Sequence, residues 1–208
     1  FSTFKGTLRF DKKSRRLLAI MEETGEFTEH ALPDVNIIFI GIGVGLAPAL
    51  MYHLAANDVV TLFCDWKGLP VSGMYPWIDA HGRVASRQRA QAGLSVPRSK
   101  NAWMRVVKAK IRGQANNLEA LGKANGGRLR ELASSVRSGD PANYEAQSAK
   151  IYWKSLFVGE DFKRLPGEGV GGRNALLDYG YSILRGHSMR AVLSAGLTPA
   201  IGLYHKGR

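Results

Sequence analysis

The sequence predicts an α+β chain, with a β-rich N-terminal part and an all-helical C-terminal part. Three observations carry that prediction. Up to about residue 75, apolar residues fall in short runs bounded by Gly, Pro, Asn and Asp, as strands do. From Ser99 onward they recur every three or four residues, as one buried helix face does. Between the two lies PWIDAHGRVASRQRAQAGLSVPRSK, a polar and basic stretch punctuated by Pro76, Gly82, Gly93 and Pro97. The expected organisation is a β-rich domain over residues 1–78, a boundary region over 79–98, and a helical domain over 99–208.

In chain order, FKGTLRF, RRLLAIM and GEFTEHALP read as short strands. NIIFIG and VVTLFCD are β-branched runs that suit buried strands, with a short helix, LAPALMYHLAAN, between them. Ser99 is a candidate N-cap for the first long helix. Trp103, Val107, Ile111, Ala115 and Leu118 form its core stripe. GRLRELASSV is a second helix after Gly126 and Gly127. Asp140-Pro141 is a candidate N-cap and first residue for a third, which carries Glu145, Ala149, Tyr152 and Leu156. DFKRLPGEGVGGR is a loop. The last helix shows apolar residues at Leu176, Leu177, Tyr181, Ile183, Leu184, Val192 and Leu193, and Gly196 is placed to end it. Pro199 forbids a quick restart.

Composition narrows the function. There are 29 basic and 17 acidic residues, for a net charge of +12, which points to a polyanionic partner and to nucleic acid first. No apolar run approaches the ~18 residues of a membrane span. FSTFKGTLRF has no signal-peptide core, so a cytoplasmic protein is expected. The single cysteine, Cys64, lies in an apolar run and reads as a buried structural thiol. A first residue that is not Met and a last residue of Arg208 suggest part of a longer product.

Few motifs carry chemistry. NIIFIGIGVGLAPAL runs from strand through glycines into helix and mimics a dinucleotide fingerprint. Its third position falls on Leu46 or Pro48 where a small residue is needed, so a glycine-lined turn is the better account. There is no HExxH or close His/Cys spacing for zinc, and no GxSxG nucleophile elbow. Glu145 shares a helix face with Ala149, Tyr152 and Leu156, so its carboxylate can be drawn inward, where it must be paired, protonated or metal-bound. His205 follows Gly202 at the end of GLTPAIGLYH. His30, His53 and His187 are the competing histidines. The basic face of the first long helix, with Arg105, Lys108 and Arg112, and the later Arg164, are candidate phosphate contacts.

Two stretches carry a family resemblance. GLTPAIGLYH after NALLDYGYSILRGHSMRAVLSAG, together with YEAQSAKIYW (Tyr144 to Trp153), resembles the CRISPR adaptation integrase, the CRISPR-associated protein number one, in its type II form. The resemblance implies that Glu145 and His205 hold Mg²⁺ or Mn²⁺, with a further acidic ligand beyond Arg208. It implies a DNA endonuclease and integrase that acquires spacers in antiviral defence by phosphoryl transfer. It also implies a homodimer formed through the β-rich domains and a heterohexamer with a small ferredoxin-fold CRISPR-associated partner. The alternative is a non-catalytic DNA-binding scaffold of the same complex, whose binding ignores metal and Glu145.

Overall fold

The computed structural model describes residues 1–74, 82–167 and 172–204. It is α+β, with strands first and helices after them. The chain divides into two compact units. One comprises Phe1–Gln88 and Pro166–Pro199; the other comprises Arg89–Leu165 and Ala200–Arg208.

The first unit holds every strand among the described residues. β1 (Gly6–Asp11) and β2 (Arg16–Met21) form an antiparallel hairpin, and β3 (Phe27–Ala31) adds antiparallel to β2. After β4 (Ile37–Ile40), the short β5 (Val44–Leu46) pairs parallel with the other side of β1. Helix α1 (Pro48–Ala56) then leads to β6 (Val60–Cys64), parallel to β4, and β7 (Pro70–Met74) closes the second sheet antiparallel to β6. Leu8, Leu17, Ile38, Ile40, Leu50 and Leu54 meet in one core, each no more than 3% exposed. The glycine stretch is structural: a Cβ on Gly41 would sit 2.1 Å from the Ser2 carbonyl oxygen. Cys64 is buried and free, and burial first, then Asp65, pushes its thiol up.

Helix α6 (Gly172–Ser194) belongs by contact to this unit, although its sequence position suggested the helical domain. It packs through small residues. Ser182 and Gly186 are buried, whereas Leu176, Tyr179, Tyr181 and Leu184 are exposed. Gly186 lies against Ile37 of β4 and Leu62 of β6. Arg190 ties the helix to Asn36 and, at 3.1 Å, to Asp58. The helix ends as expected: Gly196 has φ +71°, its N–H donates to Leu193, and Leu197 N–H donates to Val192, satisfying the last carbonyls.

Three local expectations are corrected. The polar stretch contains a helix, α2 (Gly82–Ala92), because Arg, Gln and Ala are helix formers even where few residues are apolar. The first long helix, α3 (Val96–Ala120), starts before Ser99, with Ser95 as N-cap and Pro97 in its first turn, where a missing N–H costs nothing. Ser99 instead donates its hydroxyl proton to the Leu203 carbonyl. Pro141 lies outside α5 (Tyr144–Leu156), whose N-cap is Asn143.

The second unit is a helical bundle of α3, α4 (Gly126–Ser135) and α5. Val107, Ile111, Ala115 and Leu118 of α3 are fully buried against Leu129 and Leu132 of α4 and Tyr152 of α5. Arg130 forks onto Glu119 at 2.8 and 2.5 Å and braces α4 on α3.

Candidate metal centre and basic face

Helix α5 presents Glu145 in its first turn. Ser148, Tyr152 and Ser155 form its buried stripe, so Glu145 falls at the margin, with its side chain 26% exposed. The start of α5 is fastened twice. Asp140, itself 8% exposed, accepts the Tyr144 N–H at 2.9 Å on one carboxylate oxygen and the Glu145 N–H at 3.0 Å on the other. Asn143 accepts the Ala146 N–H at 3.4 Å. Asp140 and Asn143 both take left-handed conformations, which Asp and Asn tolerate best among non-glycine residues. The expected capping by Asp140 therefore occurs, but from outside the helix and across a turn closed by Asn143 N–H onto the Asp140 carbonyl.

The Glu145 carboxylate already faces a cation. Lys110 Nζ of α3 lies 2.6 Å from Glu145 Oε1. One turn along the same two helices, Gln114 Oε1 and Ser148 Oγ are buried with no partner among the described residues. A further turn on, Asn117 donates to the Tyr152 hydroxyl at 2.5 Å. The α3–α5 seam is thus a polar ladder with an ion pair at one end, a hydrogen bond at the other and two orphaned oxygens between.

This donor set suits a hard cation, which takes carboxylate, carbonyl and hydroxyl oxygens. It is a partial set. Among the described residues no three His, Cys, Asp or Glu side chains cluster. His205 lies outside the described residues. Its neighbour Tyr204 stacks on Trp103 with ring centres 4.8 Å apart and planes 6° apart. Trp103 precedes Lys110 by two turns on one face of α3.

The competing histidines are accounted for. His53 stacks on Phe10 at 3.5 Å, His30 lies edge-on to Phe1 at 5.8 Å, and His187 is exposed on α6.

The candidate phosphate contacts separate. Arg105 and Arg112 are exposed on α3 and Lys108 is half-buried beside them. Arg164 lies in the segment after α5 and donates to the Leu165 carbonyl at 3.0 Å. Exposed Arg98 extends the α3 row. Arg98, Arg105 and Arg112 recur at seven-residue spacing, about 10.5 Å of rise each. That spacing was readable in the sequence; the roles of Lys110 and Asp140 were not. A cavity of about 820 Å³ opens near the end of α5. Trp153, Phe157 and Phe162 line it together with Lys150 and Lys154.

Comparison with known proteins identifies the family and the fold. The family described as CRISPR associated protein Cas1 matches residues 6–208. A CRISPR-associated endonuclease Cas1 of Neisseria meningitidis is 36% identical over 194 residues, covering 92% of this chain and 62% of its own length. One from Pyrobaculum aerophilum is 31% identical, covering 93% and 68%. The chain thus spans less than two thirds of the Neisseria relative. Among solved structures, a casposase bound to integration product superposes with a TM-score of 0.73 at 19% identity, covering 99% of this chain and 63% of that one. A CAS1 protein from Thermotoga maritima gives the same score and identity, covering 99% and 68%. At that identity the superpositions speak for the fold.

Proposed function

Because the chain belongs to the family of CRISPR associated protein Cas1, we propose that it is the DNA-handling part of a metal-dependent integrase and endonuclease that inserts spacer DNA into a CRISPR array. The observation that carries this reading is Glu145: a partly buried carboxylate in the first turn of α5, whose backbone N–H donates to Asp140 at 3.0 Å and whose Oε1 is a cation seat that Lys110 fills at 2.6 Å. Glu145 and His205 are the proposed ligands of Mg²⁺ or Mn²⁺. The position of Tyr204 on the same face of α3 as Lys110 supports the pairing. When bound, the metal would lower the pKa of a 3′-hydroxyl nucleophile and neutralise charge gathering on the attacked phosphate.

The chain's own residues supply the rest. Asp140 holds the α5 terminus and so orients Glu145. Arg105, Lys108 and Arg112, extended by Arg98, form a row that suits a phosphate backbone without reading its sequence. Arg164 is proposed for the same task from the segment after α5. The aromatic and lysine-lined cavity suits an unpaired base, stacked on a ring with its phosphates near ammonium groups.

A cytoplasmic setting is proposed; among the described residues no helix is long and apolar enough to cross a membrane. We propose residues 1–78 as a β-rich dimerisation domain, 79–98 as the connection, and 99–208 as the catalytic domain. Assembly with a small ferredoxin-fold CRISPR-associated partner into a heterohexamer is the proposed working form. Two structural neighbours are a Cas6-RT-Cas1–Cas2 complex and a partial form of it.

The test is strand transfer by the full-length protein on repeat DNA, with Mn²⁺ or EDTA. Glu145→Gln should abolish transfer in Mn²⁺ while leaving DNA affinity within about twofold, because removing this charge touches no proposed phosphate contact. Full transfer by Glu145→Gln, or transfer in EDTA, would overturn the site. DNA binding with no transfer by the wild type would favour the non-catalytic scaffold.

A further inference from the structure

An ammonium group on one oxygen of a proposed metal carboxylate is a conflict on its face. Mg²⁺ or Mn²⁺ binds a carboxylate oxygen at about 2.0–2.2 Å. Lys110 Nζ is 2.6 Å from Glu145 Oε1. Both cations on Oε1 would repel at close range, and a metal on Oε2 would still face the ammonium across one carboxyl group, so the two cations compete for Glu145.

Neither side of the pair is free to slide away as a unit. Lys110 sits mid-helix between Val107 and Ile111, both fully buried. The Glu145 amide is held by Asp140 at 3.0 Å. What can move is the lysine side chain, which is 46% exposed. Four flexible methylenes let its ammonium swing into water at little cost.

The inner part of the seam favours a hydrated metal over an ammonium. Gln114 Oε1 and Ser148 Oγ are buried acceptors with no partner, and Lys110 is bonded to neither. Orphaned buried oxygens are costly, and waters carried by a divalent cation are donors that could serve them.

We propose that Lys110 is a built-in counter-ion that occupies the cation seat of Glu145 while metal is absent and is displaced when a divalent cation binds. The inference rests on reading Glu145 as a metal ligand. The lysine stabilises the metal-free carboxylate and in return weakens metal binding. Its charge therefore sets the metal concentration at which the centre loads.

The test is Mn²⁺ titration of the full-length protein by electron paramagnetic resonance, with thermal unfolding in EDTA and in saturating Mn²⁺. Wild type is compared with Lys110→Gln, Lys110→Met and Glu145→Gln. Both lysine variants should bind Mn²⁺ about two- to fivefold more tightly, the range expected from losing a half-exposed ion pair. Both should melt below wild type in EDTA, and that deficit should vanish in Mn²⁺. If wild type binds Mn²⁺ through Glu145 but the lysine variants bind it equally or more weakly, Lys110 is an ordinary ion pair and the exchange is wrong. If wild type and Glu145→Gln bind Mn²⁺ alike, the metal reading itself falls, and the exchange with it.

Discussion

Replacing Asp140 should loosen the helix end that carries Glu145, by an amount that depends on which residue replaces it. The carboxylate accepts two backbone N–H groups, at 2.9 and 3.0 Å, and the residue is 8% exposed. Water would therefore replace those bonds poorly. Loss of an N-cap side chain costs about 0.5–2 kcal/mol, and bonds to a charged acceptor lie at the upper end, so about 2 kcal/mol is expected here. Asp140 also has φ +49°, a conformation that costs alanine about 1 kcal/mol more and glycine nothing. Asp140→Ala should thus lose about 3 kcal/mol and Asp140→Gly about 2. Asp140→Asn keeps one acceptor and tolerates the backbone, and should lose about 1 kcal/mol. Urea unfolding followed by circular dichroism reads these values from the midpoints. At a slope of about 2 kcal/mol/M, the alanine midpoint falls by about 1.5 M. Equal losses for alanine and glycine would refute the backbone part of this reasoning. Losses below about 0.5 kcal/mol in all three would refute the cap.

Three further outcomes are expected. Gly186→Leu should destabilise the first unit by at least about 2 kcal/mol, since even a Cβ there meets Ile37 and Leu62 at 3.2 Å, whereas Gly113→Ala, in open space within α3, should stabilise by roughly 0.5–1 kcal/mol; calorimetry of both variants separates packing from propensity. Hydrogen bonds from Arg130 hold the Glu119 carboxyl below the usual carboxylate range, so this bridge contributes above that range and is lost as pH falls through the lowered value. The melting temperature of Glu119→Gln should accordingly trail wild type at neutral pH and converge with it in acid. Arg105→Ala and Arg112→Ala should each reduce the salt slope of duplex DNA binding by about 1 without altering sequence preference, as fluorescence anisotropy across a salt series would show.

The sequence alone determined the α+β order, the strands β1, β2, β3, β4 and β6 and the α3 core, because these follow from local periodicity and side-chain chemistry; the short β5 and β7 were not legible. Val107, Ile111, Ala115 and Leu118 repeat at helical spacing and are all buried. Gly196 ends α6 in the left-handed conformation only glycine adopts freely. The family resemblance was legible for the same reason, since its motifs are contiguous stretches. The tertiary structure decided what depends on distance in space. Polarity hid α2, whose residues favour helix without displaying an apolar face. Leu176, Tyr181 and Leu184 recur near helical spacing but are exposed, and α6 packs through Gly186 because close approach to β4 and β6 leaves no room for a side chain. At the centre, Lys110 and Glu145 are 35 positions apart, and no local pattern links them. Only the crossing of α3 and α5 brings the ammonium onto the carboxylate, with two orphaned oxygens one turn further along the same helices. Charge pairing of this kind is set by helix packing, which a linear pattern does not encode.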